Sequence, residues 1–126
     1  MAELSNYLED AIINLMRSTN FTGVAAYVTL YTTDPTDADT GTEVSGGGYA
    51  RQLAGLSAPS DGVSSNASDT VFPTATADWG TITHLGLRDA ATLGNLLLYS
   101  ILDASKAIAT GDTFKMNAGE LKVTLA

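Results

Sequence analysis

The 126-residue chain carries 6 Lys plus Arg against 14 Asp plus Glu, a formal net charge of -8, and no cysteine. An acidic chain without a basic stripe repels phosphate, which disfavours DNA or RNA binding, and the absence of thiols excludes disulfide staples and thiolate metal sites. This length predicts one hydrophobic core and a single domain over 1–126.

The charged fraction of 16% lies well below the ~25% usual for soluble domains. Ser, Thr, Asn and Gly must therefore supply much of the surface polarity, as in surfaces buried against partners and also in Thr-rich β-proteins. The stretch Met1 to Ser5 has no basic region, and no apolar run approaches the ~20 residues of a membrane span. Synthesis in the cytoplasm, without a membrane segment, is the expectation.

Residues 5–18 predict the one helix. Leu4, Leu8, Ala11, Ile12 and Leu15 draw a single apolar stripe at helical period. Asn6 with Glu9 resembles a capping box, and Glu9 and Asp10 early with Arg17 late suit the helix dipole. Ile12 and Leu15 are candidate interface residues, unless the stripe simply covers the domain's own core.

From Val24 the period changes to two. Val24, Ala26, Val28 and Leu30 alternate with Ala25, Tyr27, Thr29 and Tyr31, predicting a strand with one face inward. Asp34-Pro35-Thr36-Asp37 makes a turn, opening a polar loop over 34–48 that is expected to be mobile and to order on assembly. Asp34, Asp37, Asp39 and Glu43 invite a calcium reading, but counting from Asp37 puts Gly41 and Gly48 at ligand positions five and twelve of an EF-hand loop, which leaves a solvated acidic loop.

Gly46-Gly47-Gly48 removes the penalty for positive φ at three successive positions and leads into Tyr49 and Arg51. These five residues form either a connector or a contact loop fixed by a neighbouring subunit. A phosphate loop is excluded, because no Gly-Lys-Ser or Gly-Lys-Thr follows. Beyond Arg51, short strands are predicted at 50–56, 69–74, 81–88, 95–102, 105–109, 113–117 and 121–125, separated by turn signals such as Pro59-Ser60-Asp61-Gly62, Asp103-Ala104 and Gly111-Asp112. Many short strands after a lone helix predict a mainly β fold, an antiparallel β-sandwich or jelly-roll-like domain over about 23–126 with one N-terminal amphipathic helix.

The run Leu96-Leu97-Leu98-Tyr99 is apolar on both faces, predicting a central strand or one covered by another chain. His84 has no cysteine or Gly-x-Ser-x-Gly elbow to serve, so it reads as a strand histidine making one hydrogen bond. Trp79 is either a plug at the sandwich end or an interface anchor. Asn66-Ala67-Ser68 matches a glycosylation sequon without consequence in a bacterial cytoplasm.

Thr32 to Asp37, the glycine run, Phe72 to Gly80, Gly94-Asn95-Leu96-Leu97 and Gly111-Asp112-Thr113 together resemble a family of small tailed-bacteriophage virion proteins, labelled tail fibre proteins or capsid decoration (cement) proteins. The resemblance implies a non-enzymatic particle component without cofactors, located in the virion and partnered by the major capsid protein or other virion proteins. Lacking a heptad or repeat, the chain suits capsid decoration on the outer head lattice more than a fibre shaft; a tail fibre, tail-tip or receptor-binding subunit is the alternative. Low charge, the apolar Leu96–Tyr99 strand and the helix stripe favour a homo-oligomer, with a trimer preferred.

Overall fold

The computed structural model describes residues 3–125. Its elements are β1 (Glu3–Leu4), α1 (Asn6–Met16), β2 (Tyr27–Tyr31), β3 (Gln52–Leu53), β4 (Val63–Ser65), β5 (Thr70–Val71), β6 (Gly80–Arg88), β7 (Leu96–Ile108), β8 (Lys115–Met116) and β9 (Lys122–Thr124). An antiparallel five-stranded sheet in the order β1-β7-β6-β2-β3 carries the long strands, and the ribbons β4-β9 and β5-β8 form the rest. The fold is mainly β, with one helix near the N-terminus.

The core lies between the sheet and the ribbons. Val28, Leu30, Ile82, Leu85 and Leu87 from the sheet join Phe72, Phe114, Met116, Leu121 and Val123 in one buried cluster, with the Phe72 and Phe114 rings edge to face at 5.6 Å. The second layer is two short ribbons, because β4 and β5 pair with β9 and β8 and with no other strand among the described residues.

The helix cap differs from its expected form. Ser5, only 1% exposed, is the N-cap: its Oγ accepts from Leu8 N at 3.2 Å, and its own N–H donates to Leu97 O at 2.9 Å. Its hydroxyl also donates to Leu96 O. Ser5 therefore ties the helix to β7 while capping it, and Asn6 is the first helical residue. At the other end Arg17 is the C-cap, beyond the last turn, and its guanidinium reaches Asn14 Oδ1.

Strand β2 is buried on both faces, at Val28, Thr29, Leu30 and Tyr31, where alternation predicts one inward face. Val28 and Leu30 enter the main core, while Tyr31 joins Leu96 and Tyr99 in a second cluster. The acidic loop folds over that second side. Pro35 is fully buried, Asp37 O accepts from Asn6 N at 2.8 Å, and Asp39 pairs with Arg88.

Strand β7 replaces two predicted strands. Ile82 faces Lys106 and His84 faces Ile101, so residues 102–105 bulge opposite Thr83 alone and absorb the Asp103-Ala104 pair that reads as a separator. Leu96 to Tyr99 are all buried within the protein's own fold, flanked by β1 and β6. The run Leu96 to Tyr99 accordingly lends no surplus apolar surface to an oligomer, although Ile101 further along β7 is 69% exposed. The short β4, which its polar Val63-Ser64-Ser65 sequence hides, lies between predicted strands.

Candidate functional site

The glycine run is a tight turn. Tyr49 N donates to Gly46 O at 3.0 Å, and Gly47 and Gly48 between them take φ of 59° and 79°, the positive values required at both centres of a mirror-image turn. Gly47 O accepts from Thr76 N at 2.9 Å and from Trp79 Nε1 at 2.8 Å. The Trp79 ring then meets Tyr49 edge on at 5.5 Å, and Tyr49 stacks on Phe72 at 6.0 Å. Trp79 is thus a buried plug, 5% exposed.

Folding back across this turn brings Glu43 against Arg51. Arg51 donates from Nε and Nη2 to the two Glu43 oxygens at 2.8 and 2.7 Å, a fork-to-fork pair, and Tyr49 donates its hydroxyl to Glu43 at 2.7 Å. Leu30 N donates to that hydroxyl at 3.1 Å. Burial pushes the Glu43 carboxyl up, but the hydrogen bonds from Arg51 and Tyr49 and the charges of Arg51 and Arg88 outweigh it and hold the group below the usual carboxylate range. Burial, reinforced by the bond to Glu43, pushes the Tyr49 phenol strongly up.

A second guanidinium lies alongside. Arg88 donates from Nη1 to Asp39 at 2.8 Å and to the Tyr31 hydroxyl at 3.2 Å, and from Nη2 to Gly94 O at 2.8 Å. Arg51 Nη1 reaches Ala90 O and Leu93 O at 2.9 and 2.8 Å, and Arg88 Nε also donates to Leu93 O. The two arginines thereby hold loop 89–95, whose Leu93 is 84% exposed at φ 54°. Between this loop and the glycine turn lies an open groove of about 780 Å³, floored by Tyr31, Tyr49, Arg51 and Arg88.

The family model described as podophage GP4 fiber I protein gp80 matches residues 3–124. The chain belongs to this family. As a member of the gp80 fibre family it is a structural component of a phage virion. No curated protein matches the chain significantly.

Of the expected interface residues, Gly46, Tyr49 and Arg51 line the groove, Gly47, Gly48 and Trp79 belong to the adjoining turn and its aromatic anchor, and Ile12 and Leu15 on α1 lie outside the groove's lining. Ile12 is half-buried and Leu15 is 51% exposed. The acidic cluster disperses: Asp34 caps Thr36 N and lies 3.8 Å from His84 Nε2, while Asp39 and Glu43 serve different arginines. Among the described residues no three metal-ligating side chains converge, and no helix is long and apolar enough to cross a membrane.

Sequence reasoning missed Arg88, Asn66 and the pairing of Glu43. Asn66, in the sequon, is 1% exposed and donates to Ser68 O, Thr70 Oγ1 and Asn117 O while accepting from Gly119 N and Leu121 N. A signal did exist for Glu43. Opposite charges three residues before and three residues after a glycine run meet when that run reverses the chain.

Proposed function

We propose that this protein is a fibre subunit of the phage particle that works by binding alone. The observation carrying this reading is the fibre-family match along residues 3–124. The geometry agrees with it. Arg51, Arg88, Glu43 and Asp39 are engaged with one another and with backbone carbonyls, which stiffens a scaffold and leaves none of these four side chains free to act as an acid or base. His84 Nδ1 is occupied by Thr83 Oγ1 at 2.8 Å.

Capsid decoration is the second reading, and the specific support for it is the fold: among the described residues one helix and a β body, in a sequence without the heptad or repeat of a shaft. Its partner would be the major capsid protein, whereas a fibre subunit would contact other tail proteins. Gold-labelled antibody against the protein, imaged on purified particles, separates the two. Label confined to tail appendages supports the fibre subunit, and label spread over the head overturns it in favour of decoration.

A further inference from the structure

We propose that β1 and α1 form an exchangeable arm, and that the partner which receives this arm is a second copy of the same chain. Three observations carry it. Every bond that docks the arm is made to distant chain: β1 pairs with β7 through Glu3 to Tyr99 and Leu4 to Leu98, Ser5 binds Leu97 O and Leu96 O, and Asn6 N binds Asp37 O. Each of these bonds forms equally well with the body of an identical neighbour.

The connection between arm and body is also loose. Residues 17–26 carry no helix or strand. Among the described residues, 20–25 make no hydrogen bond, and Phe21, which meets the Tyr7 ring at 6.4 Å, is the one of them packed against the main core. Ten residues extend up to ~33 Å, far enough to reach an adjacent copy.

Finally, the arm is incompletely covered at home. No residue of α1 is buried, and Ile13, Leu15 and Met16 are 53%, 51% and 77% exposed. An 11-residue helix is marginal without packing, so α1 depends on whichever body the arm docks against. Copies that lend arms reciprocally or in sequence close a ring.

The chain has no cysteine, so a cross-strand disulfide reports which body holds the arm. Ser5 N donates to Leu97 O, which makes the opposed Leu4 and Leu98 a close, non-hydrogen-bonded pair suited to a bridge. The doubly substituted Leu4→Cys, Leu98→Cys protein, oxidised at high concentration and run denatured without reductant, should give covalent dimers or larger closed species. Internally bridged monomers alone would overturn the proposal. Should that variant fail to fold, deleting residues 22–24 shortens the connection and strains docking at home. Native mass spectrometry should then show more oligomer than the parent chain, and an unchanged or smaller fraction would overturn the exchange.

Discussion

The indole N–H of Trp79 is bonded to the carbonyl of Gly47 across 2.8 Å, and this bond fixes the glycine turn on the buried aromatic cluster. A Cβ at Gly47 would sit 2.9 Å from that indole nitrogen, at φ +59°. Gly47→Val should therefore cost at least ~2 kcal/mol of folding stability, from left-handed strain and the displaced ring together. Gly46 has φ +74° but open space around its Cβ position, so Gly46→Ala should cost only about 1 kcal/mol. Urea unfolding of both variants checks the contrast. Equal losses would mean that the indole contact contributes nothing.

Glu43 gives stability a sign with pH. Its folded carboxyl is held below the ordinary range, so the unfolded chain takes up the proton first as pH falls. The contribution is fully present above the unfolded value, ~4.3 for glutamate, and is lost as pH drops through the folded one. Glu43→Gln should destabilise the protein at pH 7 by roughly 2–3 kcal/mol, because it strands the Arg51 guanidinium. The difference between parent and variant should shrink towards pH 3. A difference independent of pH would rule out the carboxylate as its source.

Asn66 makes five side-chain bonds that join residues 66–70 to the 117–121 turn. Asn66→Ala leaves the Leu121 amide and several carbonyl or hydroxyl acceptors without their partner in a buried place, while Gly119 N keeps the carbonyl of residue 66 at 3.0 Å, at a cost of about 2–3 kcal/mol. Asn66→Asp keeps the acceptor but loses the donors, and it should destabilise nearly as much. Thermal melting of the two variants tests this. A change in melting temperature below ~3 °C for either would show that water replaces the amide.

How much of this was legible in the sequence follows the range of each interaction. The α1 helix, β6 and the Gly111-Asp112 turn rest on local period and turn chemistry, and each stands within two residues of its expected place, although Leu15 of the helix stripe is 51% exposed. Strand β2 shows the limit. Alternation predicts one inward face, but Tyr31 is buried because a loop beginning three residues later covers it. The bulge in β7 looks like a turn because Asp and Ala in extended backbone leave no period-two mark. Within the site, the glycine turn was readable and its anchor was not, since the Gly47 carbonyl finds Trp79 32 residues away.

The polar loop offers the last test. Its composition suggests few contacts, yet Val44 N donates to Leu30 O at 3.0 Å, Thr40 N to Pro35 O at 2.6 Å and Thr42 N to Thr33 Oγ1 at 2.7 Å. Val44 is 5% exposed, so its amide opens only when β2 loses its edge, whereas Thr42 relies on a single exposed hydroxyl. Exchange at Val44 should be slowed by orders of magnitude in the free protein, and exchange at Ser45 and Gly46, which lie outside these bonds and are exposed, should be nearly unprotected. Asp39→Ala removes the ion pair with Arg88 and should speed exchange at Thr40 and Thr42 several-fold while leaving Val44 unchanged. Amide exchange read by NMR resolves these positions singly. Uniformly fast exchange from Thr36 through Val44 would instead place the ordering of this loop at assembly.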